Sequence, residues 1–156
     1  MESRRRASLA LVLPAILILS IFVSSVGASA STKNLKKMAS HEYVLAYHHW
    51  IVANNATLNR VNSSNHSISM AGWNADITAY EKFDTALLKI KFPKLVQPEV
   101  QILLNANAQL ESYGRHAAVN TDNTSVYNSI LSQFESEDAK FTAADHVIRE
   151  DLGISN

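Results

Sequence analysis

Apolar side chains recur every three or four residues over four long segments of the chain, between residues 35 and 152. That spacing places side chains on one face of an α-helix, whereas a half-buried β-strand alternates at every second residue. None of the four segments alternates in that way. We therefore predict four amphipathic helices, over residues 35–61, 69–91, from 98 to a polar break at 120–124, and 125–152.

Polar and proline-marked breaks separate the four segments. Phe92 and Pro93 end the second segment, and Pro98 stands where the first turn of a helix tolerates a residue without an N–H. Gly153 follows the fourth segment as a C-terminal cap. The apolar stripes that we expect to face a core are Ala39, Tyr43, Ala46, Trp50, Ala53 and Thr57; Trp73, Ile77, Tyr80, Phe83, Leu87 and Ile90; Val100, Leu103, Asn107, Leu110, Gly114 and Ala117; and Tyr127, Ile130, Phe134, Phe141, Ala144, Ile148 and Leu152.

Four helices of similar length, joined by short connections, pack most simply as an antiparallel up-down-up-down bundle. About 120 residues can bury an adequate core without cross-links. We therefore predict an all-α protein with one four-helix bundle domain over residues 38–156, preceded by a short tether over residues 31–37.

The N-terminal thirty residues have the three parts of a secretory signal. Arg4, Arg5 and Arg6 precede an apolar run over residues 7–26, and small residues around Ala28 and Ala30 follow it. We predict cleavage after Ala30. The alternative is an uncleaved membrane anchor, because the run over residues 9–26 approaches the roughly 20 residues of a spanning helix. Either outcome predicts a secreted or extracytoplasmic protein.

Composition excludes several classes of exported protein. The 156 residues include no Cys, so a disulfide framework, a thiolate metal site and a lipid-anchored cysteine are all ruled out. The 14 basic and 14 acidic side chains balance, which argues against nucleic-acid binding. An exported chain without cysteine is typical of bacteria. We predict no glycan at the four N-x-S/T triplets, which begin at Asn55, Asn62, Asn65 and Asn123.

Several polar side chains fall on or beside the apolar stripes near the middle of the helices. Carboxylates in a core must be paired, protonated or bound to a cation. One interpretation is a metal ion or small cationic ligand held between the helices. The other is that these residues lie at the stripe edges with their polar atoms in solvent. The predicted ligand-binding residues are Asp84, Asn107, Glu137, Asp138, Tyr47 and Tyr80.

Histidines supply surface candidates for a metal site at His41, His48 and His49, although helical geometry turns them away from the core. The inward Glu-x-x-His pairs of ferritin-like oxidases are missing. Met38 and His146 resemble, in position alone, the axial ligands of exported four-helix b-type cytochromes, but both are predicted to point outward. We predict no cofactor.

The segment from Phe83 to Pro93 and the ending over residues 147–153 resemble small exported helical proteins of actinobacteria that are usually described as uncharacterised. The resemblance implies the cell envelope and a helical bundle, and it implies no activity.

No catalytic motif is found, so we expect a non-enzymatic binding or interaction module of the cell envelope. The alternative function is binding of a metal ion or small cation by the carboxylates in the core. The partner is an unidentified envelope protein or small ligand. Leu45 and Val52 lie away from the main stripe of the first helix, which suggests a homodimer through a second apolar strip.

Overall fold

The computed structural model describes residues 32–61 and 68–155, so the predicted signal segment and two of the N-x-S/T triplets, at Asn62 and Asn65, lie outside the described residues. Four α-helices follow one another: α1 (Thr32–Val61), α2 (Met70–Leu87), α3 (Gln97–Ala118) and α4 (Thr124–Leu152). No strand occurs within the described ranges. The predicted all-α four-helix bundle is confirmed.

Helices that are neighbours in sequence pack side by side, and α1 and α4 close the ring with a looser contact. Within residues 32–61 and 68–155, neither diagonal pair, α1 with α3 or α2 with α4, packs backbone to backbone. The side-chain contacts run antiparallel: α1 places Tyr43 against Asp145 and Trp50 against Phe141 of α4. The helices therefore alternate in direction around the ring.

Capping groups on the predicted breaks fix three of the helix ends. The Ser69 hydroxyl accepts a hydrogen bond from the Gly72 N–H at the start of α2, and the Asn123 side chain accepts one from Val126 N–H at the start of α4. Gly153 has φ 71°, the left-handed conformation of a C-terminal cap, and its N–H donates to the Glu150 carbonyl. Asn123 thus has a structural role at one of the predicted unglycosylated triplets.

Two predicted boundaries are wrong. α2 ends at Leu87 and not at Lys91, because the chain turns so that Phe92 enters the core and Pro93 removes a helical N–H donor. α1 also begins earlier than the predicted residue 35, at Thr32, so residues 32–37 of the predicted tether form the first turns of this helix. The lysines and leucine there are good helix formers.

The predicted stripes form the core with few exceptions. On α3 every predicted core residue is buried, including Gly114 and Asn107. Ala53 is exposed. The largest fully buried side chains are Trp73, Tyr43, Tyr80, Phe83, Leu87, Leu103, Leu110, Ile148, Val96 and Asn107.

Gly114 allows the closest approach of α2 to α3. A Cβ atom at this position would lie 3.1 Å from Ile77 Cγ1 and 3.4 Å from Trp73 Cε3. A glycine in the middle of a helix lowers its stability, so this position is kept small by packing.

Adjacent residues of α3 offer a test of the assigned faces. Leu103 is fully buried and Ile102 is 47% exposed. We expect Leu103→Ala to lower the free energy of unfolding by about 2 to 5 kcal/mol, because it leaves a cavity in the core. Ile102→Ala is the matched control and should change it by less than about 1 kcal/mol. Chemical denaturation measures both, and equal effects would contradict the assigned faces.

Candidate functional site

Asp84 and Asn107 meet between α2 and α3. Asp84 lies half-buried in the last turn of α2, and Asn107 is fully buried in the stripe of α3. The Asn107 side-chain amide donates a hydrogen bond to Asp84 Oδ1. Its own Oδ1 atom is buried and has no hydrogen-bond partner within residues 32–61 and 68–155. The structure therefore joins two of the six predicted site residues and leaves an acceptor beside them.

Burial raises the pKa of the Asp84 carboxyl to about 7, because the ionised form loses its hydration. The hydrogen bond from Asn107 acts in the opposite direction, and the negative charge of Glu111 raises the pKa further. At neutral pH, Asp84 thus exchanges between its charged and neutral forms. A cation next to this carboxyl would favour the charged form.

A cavity of about 660 Å³ lies beside this pair. Its lining combines two carboxyl groups, three side-chain amides and three apolar side chains. Glu137 contributes from α4 and also forms an ion pair with Lys140, with 2.6 Å between Oε2 and Nζ. Acceptors outnumber cations in this lining, which suits a positively charged or hydrogen-bond-donating guest. The lining residues are Asp84, Leu88, Gln101, Leu104, Asn105, Ala108, Gln109 and Glu137.

Asp138 belongs to a different group from Glu137. Adjacent residues of a helix point about 100° apart, so Glu137 and Asp138 face different parts of the bundle. Glu137 lines the cavity beside α3. The negative charge of Asp138 instead raises the pKa of Asp76, Tyr80 and Tyr47. The predicted single polar layer is therefore divided between two sides of the core. Tyr80 is buried against aromatic rings, where burial raises the pKa of its phenol.

Asp76 is a buried carboxylate that the sequence analysis did not include among the candidate ligands. It is 8% exposed, and its Oδ1 atom has no hydrogen-bond partner among the described residues. Burial raises its pKa to about 6, and the charge of Asp138 adds to the shift. Its position four residues before Tyr80, on the same stripe, was the available sequence signal.

A second polar network joins α1 to α4. The Tyr43 hydroxyl donates a hydrogen bond of 2.6 Å to Asp145 Oδ1, and Arg149 Nε lies 2.9 and 2.8 Å from the two carboxylate oxygens. The Arg149 guanidinium stacks over the Tyr47 ring, 4.1 Å from its centroid. Every charge in this network is paired, so we interpret it as structural. The i,i+4 spacing of Asp145 and Arg149 was visible in the sequence, whereas the link to Tyr43 was not.

The histidine candidates do not form a site. His41, His48 and His49 are all exposed, and the adjacent rings of His48 and His49 are 6.3 Å apart. Within the described part of the chain, no three His, Asp or Glu side chains are grouped closely enough to hold a metal ion. Met38 is 58% exposed, and His146 is exposed too, as the sequence predicts.

Comparison with protein families, with curated proteins and with solved structures finds no match for this chain. Its class is therefore defined by its own fold and site: a four-helix bundle with a carboxyl- and amide-lined cavity beside α3 and an unpaired buried carboxyl group at Asp76. Within residues 32–61 and 68–155, no helix is both long and apolar enough to cross a membrane.

We expect the contribution of Asp76 to stability to fall as pH rises from about 4 through 6. Asp76 has a folded-state pKa of about 6, above its ordinary value of 3.8. The folded state therefore retains a proton that the unfolded chain has already released, and this preference is lost as pH rises from about 4 through 6. Asp76→Asn should raise the free energy of unfolding by about 1 to 3 kcal/mol at pH 8 and change it little at pH 4.

Urea unfolding at pH 4, 6 and 8 measures this effect. Glu135→Gln, an exposed carboxyl group on α4, is the control and should keep the pH dependence of the unaltered protein. An Asp76→Asn variant with that same pH dependence would contradict the assignment.

The link between α1 and α4 gives a separate prediction. Tyr43→Phe removes the hydroxyl that donates to Asp145 and should lower the free energy of unfolding by about 1.5 to 3 kcal/mol, the range for hydrogen bonds to charged groups. Tyr113→Phe is the control, because that half-buried phenol makes no hydrogen bond within the described residues. Equal changes in the free energy of unfolding for the two variants would show that the Tyr43–Asp145 hydrogen bond does not stabilise the fold.

Proposed function

We propose that this chain is an exported helical bundle of the cell envelope that acts as a binding module and not as a catalyst. The observation that carries the proposal is the cavity beside α3, which joins a titratable carboxyl group at Asp84 to amide and apolar walls. Ligand sites in proteins combine apolar walls with a few polar groups that fix orientation. Here those polar groups are two carboxyl groups and three amides. None of them is a nucleophile positioned beside a base, as covalent catalysis would require.

The proposed location rests on the sequence. Three arginines, an apolar run over residues 7–26 and small residues at Ala28 and Ala30 are the features of an export signal. An envelope protein of this kind is secreted if the segment is cleaved, and it is held at the membrane if the segment is retained.

A second candidate specifies the ligand as a small cation. It is favoured by Asp84, because ionisation of this half-buried carboxyl group costs free energy. A positive charge beside the carboxylate would offset that cost. The three amide side chains at Gln101, Asn105 and Gln109 can accept hydrogen bonds from an ammonium group. Leu88 and Leu104 would contact its aliphatic part.

Native mass spectrometry of the protein purified from its own envelope fraction, without chelator, tests the general proposal. We expect a polypeptide that begins at Ser31, or at Met1 if the segment is retained, with a bound partner or small molecule. A bare polypeptide from repeated preparations would contradict a ligand-binding role and leave only transient protein partners.

Titration calorimetry tests the cation. The probes are putrescine, spermidine and choline, with Mg²⁺ and Zn²⁺ as inorganic cations. We expect one organic amine to bind with release of a fraction of a proton at pH 7, because the cation lowers the pKa of Asp84. Asp84→Asn should weaken binding by about tenfold or more, the usual effect of removing a charged partner.

Glu135→Gln again serves as the control, since its carboxyl group lies on α4 outside the cavity lining. Equal affinities for Asp84→Asn and the unaltered protein would contradict the site. Binding of the inorganic cations alone would assign the cavity to a metal ion.

A further inference from the structure

The outward face of α1 carries an apolar strip that the bundle leaves uncovered. Met38 is 58% exposed, Leu45 46% and Val52 55%. With Val44, these residues make up four of the eleven large exposed apolar side chains in the described part of the chain, and the other seven are distributed over the remaining elements. The core uses the opposite side of α1, through residues such as Tyr43 and Trp50.

The strip has the spacing of a coiled coil. Met38, Leu45 and Val52 are each seven residues apart, and His41, His48 and Asn55 stand three residues after them in the same order. The apolar residues thus recur at the a positions of three consecutive heptads, and the d positions that follow them are polar. The core stripe of α1 does not require this repeat, because it lies on the other face of the helix.

Charged residues of opposite sign flank the strip. Lys37 occupies a g position and Glu42 the next e position, five residues later. In a parallel pair of helices, a g residue of one helix faces the following e residue of the other. Residues five apart on one helix are not neighbours, and neither side chain takes part in an ion pair within residues 32–61 and 68–155. Two symmetric Lys37–Glu42 pairs would therefore form only between two copies.

We propose that the outer face of α1 binds the same face of a second copy of this chain, as a parallel two-stranded coiled coil. Met38, Leu45 and Val52 form its a layers, and His41, His48 and Asn55 its d layers. A two-fold axis parallel to α1 relates the copies, so each residue meets its own counterpart. This inference is independent of the cavity beside α3.

The polar d layers make the contact specific and reversible. Neutral imidazoles and amides can hydrogen-bond across the two-fold axis, because each has both a donor and an acceptor. A polar residue in a coiled-coil layer fixes the register and lowers stability. We therefore expect monomer and dimer to exchange.

The absence of cysteine from the sequence allows a direct test in the full chain. Met38→Cys, Leu45→Cys and Val52→Cys are expressed singly, and membranes or secreted fractions are treated with diamide. We expect each variant to form a disulfide-linked dimer, because equivalent a positions of a parallel pair lie within disulfide reach. Leu95→Cys, whose parent residue is 72% exposed in the connection between α2 and α3, is the control and should remain monomeric.

The pattern of cross-links distinguishes the orientations. An antiparallel pair would cross-link at one central position and would join the Met38→Cys variant to the Val52→Cys variant in a mixture. That result, or equal cross-linking at Leu95→Cys, would overturn the proposal.

Charge exchange tests the flanking pairs without cysteine. Sedimentation velocity over a concentration series should show dimer affinity reduced about tenfold by Lys37→Glu or by Glu42→Lys, because each places like charges together. The double variant Lys37→Glu/Glu42→Lys should restore it. Unchanged dimer affinity in all three variants would contradict the proposed register of the two α1 helices. Loss of amine binding in a protein that still forms dimers would count only against the proposed cavity.

Discussion

The closure of the helix ring between α1 and α4 is the constraint on which the rest of the structure depends. These two helices pack less closely than the other neighbours, so large side chains must span the gap. Trp50 does so with its indole ring 4.9 Å from Phe141 and 5.8 Å from Phe83, centroid to centroid. Tyr43 adds the hydrogen bond to Asp145. Burial of the aromatic rings stabilises this contact, and the buried hydrogen bond fixes the relative orientation of α1 and α4.

Two buried aspartates differ in how well they are paired. Asp145 faces Tyr43 and Arg149, which together satisfy both of its oxygens. The Asp76 Oδ1 atom has no hydrogen-bond partner among the described residues, and the charge of Asp138 is nearby. A buried carboxyl group without a partner lowers stability at neutral pH. The two aspartates therefore contribute to stability with opposite signs.

The sequence predicts the faces of single helices well and the contacts between helices poorly. Helical periodicity placed all of the α3 stripe in the core, because each side chain there follows from its own phase. The division of Glu137 from Asp138 required an accuracy of better than one residue step. The pairing of Tyr43 with Asp145 depends on the relative height and rotation of two helices. The relative height and rotation of two helices are not encoded in the periodicity of one segment. The end of α2 likewise depends on a tertiary contact, the packing of Phe92 into the core.

The two surfaces that carry proposals lie on different sides of the bundle. α1 and α3 are diagonal across the described part of the bundle and have no close backbone contact there, so a second copy on the outer face of α1 leaves the cavity beside α3 open to solvent. A parallel dimer would also place the two cavities on opposite outer sides, at the same height along the paired α1 helices. Such an arrangement presents two equal sites to ligands or partners in the envelope. A ligand in one cavity would not contact the other cavity, so the geometry favours independent binding at the two sites.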